Sequence, residues 1–465
     1  MNTSDTIVAL STPRGRGGLG VIRLSGAGSE AIASQIFTPS SDLPRIDSLV
    51  SHTLYHGFIH DSARIIDEVM LCLMRGPRSY TGDDVIEISA HGGPVVLDAI
   101  ISLCLARGAR MAAPGEFTLR AFLNGKIDLS EAEAVADLIS AKTPLASGAA
   151  MKQLQGNISA RVAAWRKSLV ELLSKLEVKL DYGEEDVEFI SGAQALSELG
   201  MLVESVYKLI SSFDKGKFLR EGFRAVITGS PNSGKSSLMN ALLERERAIV
   251  TDIPGTTRDI LEETLDIGGL PVVITDTAGL GADTLDAAEK IGQAKSREYL
   301  AASDIVLWLI DASHKISLED RSVSGLLVSL GLQKRSFVIL SKSDLAPALS
   351  LEEARNAFKD FAGYASVSSV SGAGLRELES MITAKAGING LSGDEALLVN
   401  ERHRAALAGA AGALDEAMES VRCGGGEEIT ALHLREALNL LGEITGESAT
   451  EEILNTIFSN FCVGK

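Results

Sequence analysis

Cysteine is scarce in this sequence of 465 residues: Cys72, Cys104, Cys423 and Cys462 lie far apart, with no Cys-x-x-Cys pair. That argues against a disulfide scaffold or a structural zinc site and suggests a reducing compartment. No run of roughly 18 or more apolar residues occurs, so neither a helical membrane span nor a membrane partner is expected. Met1 to Leu10 lacks a basic stretch followed by an apolar one, so no secretory leader is expected and the cytoplasm is the expected location. Internal repeats and low-complexity tracts are also missing. Positive charge is in deficit, with 44 Lys and Arg against 62 Asp and Glu for a net charge of −18. Such a chain does not attract nucleic acid through its overall field, and any such contact needs a local patch or a partner. The apolar (45%) and charged (23%) fractions are those of a globular protein and exclude a disordered or collagenous one. The length suits two to four domains at roughly 100–200 residues each.

Residues 1–125 mix short strand-like runs with Gly and Pro turns: Thr6 to Leu10, Gly20 to Leu24, Glu68 to Leu73 and Asp84 to Ile88, with a helix from Val95 to Ala106. This reads as an α+β domain. Residues 126–221 turn helical. Ser130 and Glu133 suit a capping box ahead of Ala134 to Ile139, and Thr143-Pro144 suits an N-cap with proline at the first helical position. Leu154, Ile158, Val162, Trp165, Leu169, Leu172, Leu176 and Leu180 predict one apolar stripe on a very long helix. The same texture returns at residues 395–465, with a second capping box expected at Ser448 and Glu451. The expectation is an all-α domain built from two segments, 126–221 and 381–465, with residues 222–380 inserted between them. The insert alternates strands (Arg224 to Thr228, Pro271 to Thr275, Asp304 to Ile310, Ser336 to Leu340) with helices. Its nearly all-apolar strands point to a doubly wound α/β sheet.

Gly229-Ser-Pro-Asn-Ser-Gly-Lys-Ser236 matches the phosphate-binding loop G-x-x-x-x-G-K-[ST] between a strand and a helix. Its backbone N–H groups suit phosphates, Lys235 the β and γ phosphates, and Ser236 a Mg²⁺ ion. Asp276-Thr-Ala-Gly279 closes the next strand, placing a carboxylate for the Mg²⁺ shell and a Gly279 N–H for the γ-phosphate. Ser341-Lys-Ser-Asp344 follows a later strand. An Asp there accepts two hydrogen bonds that guanine offers and adenine does not, which makes the nucleotide GTP. Ser341 stands where Asn is usual, and Ser368-Ser-Val370 where Ser-Ala-Lys is usual. Thr257, in Thr251-Asp-Ile-Pro-Gly-Thr-Thr-Arg-Asp259, is a natural second Mg²⁺ ligand. Leu280 occupies the place of the usual water-orienting Gln, so that role falls to an arginine such as Arg258, a carboxylate such as Glu289, or an added cation. His52, His56 and His60 recur every fourth residue, but their segment reads as strand and no acidic or Cys ligand joins all three, so no metal site is expected there.

Taken together, Asp252 to Asp259, Asp276 to Leu280 and Glu289-Lys-Ile-Gly292 resemble the tRNA modification GTPase MnmE (TrmE) family. So do Thr12-Pro-Arg-Gly-Arg-Gly-Gly18, Ala90-His-Gly-Gly-Pro94, Ala113 to Thr118, Arg120 to Lys126 and the terminal Phe461-Cys-Val-Gly-Lys465. The resemblance runs the length of the chain. It implies an N-terminal folate-binding and dimerisation domain and a GTPase activated by dimerisation, K⁺ and Mg²⁺. It also implies a flavoprotein partner, MnmG, which alone carries FAD. Together they would add a carboxymethylaminomethyl or aminomethyl group at carbon 5 of the wobble uridine of certain tRNAs, using a 5-formyl or 5,10-methylene tetrahydrofolate.

Carried over residue by residue, the resemblance gives Asn232, Thr251, Ile253 and Thr256 as K⁺ ligands, and Ser236 and Thr257 as Mg²⁺ ligands. Glu289 becomes the catalytic residue that orients water. The loop before it is one residue longer than the family pattern. Arg23, Glu87, Lys126 and Lys465 match folate-contacting positions, and Cys462 is a candidate functional thiol. The nucleotide site is expected to draw on Asn232, Ser233, Gly234, Lys235, Ser236, Ser237, Thr251, Thr256, Thr257, Asp276, Thr277, Ala278, Gly279, Ser341, Lys342, Asp344, Ser368, Ser369 and Val370.

Overall fold

The computed structural model describes residues 5–40, 48–62, 64–182, 191–245, 262–276, 297–389, 397 and 399–465. By compactness the chain divides into two units, Met1–Ala136 with Leu154–Ser174 and Arg435–Lys465, and Asp137–Gln153 with Lys175–Leu434.

In the first unit, β1 (Ile7–Leu10), β2 (Leu19–Ser25), β3 (Phe37–Pro39), β4 (Thr53–Asp61), β5 (Arg64–Met74), β6 (Val85–His91) and β7 (Arg110–Met111) form one sheet in the order β3-β4-β5-β6-β2-β1-β7. All neighbours are antiparallel except β1 and β7. Alternation places Ile22, Leu24, Leu71, Leu73, Ile86 and Ile88 in a core with Ile32, Ile36 and Ile100 of the helices Ser29–Ile36 and Pro94–Ala106. The opposite face carries Arg23 and Glu87, directly paired across β2 and β6. His56 and His60 lie on β4 and take separate partners, Glu68 and Thr38.

In the second unit, β8 (Phe223–Gly229), β9 (Glu262–Ile267), β10 (Leu270–Asp276), β11 (Ile305–Asp311), β12 (Ser336–Ser341) and β13 (Gly363–Ser366) are ordered β13-β12-β11-β8-β10-β9. Every pair is parallel except β9 with β10. Successive residues enter opposite cores. Ala225, Ile227, Leu307 and Leu309 lie on one side, and Val226, Val306, Trp308 and Ile310 on the other. This two-sided burial explains the unbroken apolar strands of the sequence. Helices from both sides of this domain in the chain, Gly192–Ile210 and Glu401–Arg422, pack together, and Tyr207 donates to Asp415 at 2.8 Å.

Three local expectations are corrected. The helix Leu129–Ser140 begins before Ser130, and its box is made by Asp128 and Glu131, which exchange backbone-to-carboxylate hydrogen bonds of 2.9 Å. Ser130 instead donates to Asp128. The stripe from Leu154 to Leu180 is divided between two helices. Pro144–Leu154 ends ahead of Gly156, whose φ of +81° only glycine adopts cheaply, and Asn157–Tyr182 carries the rest. The last helix, Glu451–Ser459, is capped by Thr450, not Ser448, which donates to the Asn439 carbonyl. Ser and Thr offer the same chemistry at either offset, so pattern alone places such caps within a turn.

An ionic cluster fixes the N-terminal unit. The side chain of Arg120, 1% exposed, donates to the Asp5 carbonyl and carboxylate, each at 2.7 Å, and to Glu116 at 3.0 Å. Arg110 bridges the same two carboxylates. The hydrogen bond from Arg110 leads the causes that lower the Asp5 pKa. Burial would raise Glu116, but its arginine and backbone partners outweigh that and lower it. Both carboxylates therefore stabilise the fold above the ordinary carboxylate range, and that contribution is lost as the pH falls through their depressed values. Arg120→Ala should lower the stability of this unit by about 3 kcal/mol, because it removes a buried guanidinium and its hydrogen bonds to Asp5 and Glu116, leaving Arg110 as their arginine partner. A denaturant titration checks this, and a midpoint unchanged from the parent contradicts it.

Candidate functional site

The phosphate-binding loop leaves β8 at Gly229, where φ is +150° and an added Cβ would lie 2.3 Å from the Leu309 carbonyl oxygen. Asn232 and Gly234 also take positive φ, +62° and +91°, before the helix Lys235–Arg245 starts. Only this tight path turns the chain straight from a buried strand into a helix whose N-terminus faces the loop. The Lys235 ammonium lies across the loop and donates to the carbonyls of Gly229 (3.0 Å) and Ser230 (2.8 Å). Ser233 is buried, whereas Asn232, Ser236 and Ser237 are exposed at the mouth.

The base side of the site is built on the ends of β12 and β13. Asp344 is exposed and its carboxylate accepts from Ser368 Oγ at 2.5 Å. Ser368 is fully buried and is itself held by the Ser371 N–H at 3.1 Å. Ser369 is half-buried and Val370 exposed. Lys342, at φ +57°, donates to Asp311 at 2.6 Å. Burial would raise the Asp311 pKa, but Lys342 and Ser313 outweigh it and bring it to about 2.

Ser341 is buried and donates to the Ser233 carbonyl of the phosphate loop at 2.6 Å and to the Ile310 carbonyl at 3.2 Å. The residue that replaces the usual Asn thus ties the base-side loop to the phosphate-side loop. Neither that link nor the Asp311 partner of Lys342 was legible in the sequence. The parallel register that places Asp311 beside Ser341 sets Asp311 within reach of Lys342.

Asp276 ends β10, with its backbone paired to Ile227. Thr251, Ile253, Thr256, Thr257, Arg258, Thr277, Ala278, Gly279, Leu280 and Glu289 lie outside the described residues.

A second cluster forms in the N-terminal unit. Arg23 donates to Glu87 through Nε (2.9 Å), and its Nη2 lies 2.7 Å from the same carboxylate oxygen. The guanidinium stands over the rings of Tyr80 and Phe117, at 5.3 and 5.7 Å. Tyr80 is half-buried, and desolvation raises its pKa against the lowering effect of Thr118 and Arg23. The last residues fold onto this place. Phe117 N–H donates to the Lys465 carbonyl (3.2 Å) and Ser11 Oγ to the Gly464 carbonyl (3.1 Å). Gly464 has φ +98°, and a Cβ there would meet the Leu10 carbonyl at 2.3 Å. Lys465 is thereby brought within electrostatic reach of Arg23, Glu87 and Cys462. Burial and then Arg23 lower its pKa, while Glu87 and Cys462 oppose them. Cys462 is exposed. Lys126 is held separately on the 77–82 loop that carries Tyr80, donating to the Pro77 carbonyl at 2.9 Å. Tyr80 had no sequence signal and Phe117 only its place in the Ala113 to Thr118 motif, because nothing in one sequence sets a loop or helix aromatic over an arginine on a strand.

The fold and the sites define a class: a P-loop GTP-binding domain carried in a multidomain α and β protein. A model of the MnmE helical domain matches residues 129–462, and one described as GTP-binding protein TrmE N-terminus matches residues 6–126. Among curated relatives, the tRNA modification GTPase MnmE of Thermoanaerobacter pseudethanolicus is 44% identical over 99% of both chains. The protein of that name from Acetivibrio thermocellus is 42% identical over the whole of both chains, and that from Listeria innocua 41% over 99% of each. The chain belongs to the MnmE family of tRNA modification GTPases.

Ser341→Ala should weaken both GTP and GDP binding by roughly 3- to 10-fold, the scale of one buried hydrogen bond joining two loops. Titration with fluorescent nucleotide reads this, and affinities equal to the parent's would refute the link.

Proposed function

We propose that the chain hydrolyses GTP, with Mg²⁺ and K⁺, to drive modification of carbon 5 of the wobble uridine in certain tRNAs. In this reading it acts in the cytoplasm as a homodimer with the FAD-bearing flavoprotein MnmG and uses a 5-formyl or 5,10-methylene tetrahydrofolate. The observation that carries the reading is family membership over the whole chain, flanking domains included. It favours a modification enzyme over a ribosome-assembly GTPase, which would be expected to carry a basic RNA-binding module. The domains are proposed as 1–125 for folate binding and dimerisation, 222–380 for GTP, and 126–221 with 381–465 for the helical domain into which the latter is inserted.

The donor set fits the nucleotide. The Lys235–Arg245 helix N-terminus and the loop amides suit phosphates, Asp344 suits the guanine edge, and the Ser236 hydroxyl, with Thr257, suits Mg²⁺. The metal supplies charge neutralisation on the phosphates. Asn232 stands at the exposed mouth of the loop, where with Thr251, Ile253 and Thr256 it would offer oxygen ligands to K⁺. Its charge there would serve as an arginine finger's does. Leu280 has no hydrogen-bonding group, and the family resemblance assigns the orienting of the attacking water to Glu289. Replacing K⁺ by Na⁺ at matched ionic strength should lower turnover strongly. Equal rates in the two salts would sink the cation assignment.

The Arg23, Glu87 and Lys465 cluster suits folate. Glu87 can accept from the donor edge of a pterin, and the cations, with Lys126, suit carboxylates and ring oxygen. The folate supplies the one-carbon unit. Cys462, exposed beside Lys465, is proposed as a functional thiol. Arg23→Ala, or removal of Lys465, should weaken folate binding while GTP turnover stays near the parent's. A folate titration in which both variants match the parent would overturn this assignment.

A further inference from the structure

A chain of net charge −18 that acts on tRNA needs a local basic surface or a partner that supplies one. Five arginines of the N-terminal unit are spent internally: Arg23 on Glu87, Arg75 on Glu30, Arg110 and Arg120 on Asp5 and Glu116, Arg166 on Glu447. Arg14 and Arg16 differ. They are exposed on the loop joining β1 to β2, and among the described residues neither has an ion-pair or hydrogen-bond partner.

The loop is held at both ends. Ser11 N–H donates to the Val21 carbonyl (2.8 Å), and Val21 N–H donates to Thr12 Oγ1 (3.2 Å). Gly17 N–H donates to the Gly92 carbonyl (3.1 Å), and Gly92 N–H to the Gly18 carbonyl (3.4 Å). Gly92 has no room for a side chain, since a Cβ there would lie 2.5 Å from the Gly17 carbonyl oxygen. By contrast, a Cβ added at Gly15, Gly18 or Gly93 would meet nothing within 4 Å, so the outer side of this backbone is open. The carboxylate of Asp67, on β5, is taken up by the backbone and side chain of His91 (2.8 and 2.7 Å).

We propose that this loop, through Arg14 and Arg16, is a contact for the phosphate backbone of tRNA. The inference rests on the tRNA-modifying reading above. A guanidinium fork matches phosphate oxygens, and side-chain-free glycines let a sugar-phosphate backbone come close. The loop stays where it is pinned, so little ordering entropy is lost when RNA binds. Arg23 lies four residues along β2 from Leu19 at the loop's end, roughly 14 Å at about 3.4 Å per residue. RNA held at the loop can therefore present a splayed base toward the Arg23 and Glu87 cluster.

The test measures binding of an unmodified tRNA transcript with uridine at the wobble position to the full-length protein over a series of salt concentrations. Arg14→Ala with Arg16→Ala should weaken binding on the order of 10-fold and reduce the slope of log affinity against log salt by about 1.5, from two lost phosphate contacts. Arg14→Lys with Arg16→Lys should keep most of the slope, because charge and not shape carries it. GTP turnover of each variant at the parent's rate shows that the chain has folded. Gly92→Ala, which displaces the loop without removing charge, should weaken tRNA binding as well. Parent-like affinity and slope in the double alanine variant would overturn the proposal. So would loss of folate binding or of flavoprotein capture with tRNA binding unchanged. If the parent itself bound no tRNA the surface would be refuted, while nucleoside analysis of tRNA from a deletion strain would separately decide the modifying role.

Discussion

The nucleotide site depends on the burial of one parallel sheet on both faces. With helices covering each side of β8, β10, β11 and β12, the strands are mostly apolar, and the chemistry gathers at their carboxyl ends. β8 lies between β10 and β11, so the chain leaves it at the point where the strand order turns back. The phosphate loop leaves there because Gly229 alone can pass the Leu309 carbonyl. The residues proposed for the guanine edge follow β12, two strands away. Ser341 bridges that distance with one hydrogen bond to the Ser233 carbonyl, so movement of either loop is felt by the other. A short hydroxyl does what a longer amide usually does in this position, because the strand brings its backbone close: a Cβ built on Gly234 would lie 3.8 Å from that of Ser341.

The N-terminal unit solves a different problem. Its sheet has one apolar face, and the opposite face carries Arg23 and Glu87. The Asp5, Arg110, Glu116 and Arg120 cluster fixes the helix Glu116–Leu123 against β1 and β7. That helix offers the Phe117 N–H to the Lys465 carbonyl and the Phe117 ring to Arg23. A change in the buried ions would therefore reach the Arg23 cluster through the helix, without touching it directly.

The sequence and the structure agree where one physical signal dominates. Strands buried on both faces, such as Asp304 to Ile310, allow no other reading, and the phosphate loop is identified by glycines whose backbone angles the fold requires. Agreement fails where two nearby residues offer the same chemistry. Asp128 and Ser130 are both good caps, as are Ser448 and Thr450, and only the start of the helix decides between them. The long stripe from Leu154 to Leu180 concealed a break, because apolar spacing continues across Gly156 while the backbone does not. The folate candidates Arg23, Glu87 and Lys465 were legible only through family likeness. Their meeting is made by strand register and by a docked tail, and neither leaves a trace in local sequence.

Charge distribution explains why the chain can be acidic overall and still deal with anionic partners. Cations near the two clusters are held at fixed positions by carboxylates or backbone carbonyls: Lys235 on Gly229 and Ser230, Lys342 on Asp311, Arg23 on Glu87. A cation held this way presents a defined direction to an incoming ligand, which must compete for it, so affinity is exchanged for placement. Arg14 and Arg16 carry no such partner, and a flexible anionic polymer gains their full charge without displacing anything. A small ligand that must be oriented for chemistry is better served by the first kind of cation. A long backbone that only needs to be held is better served by the second.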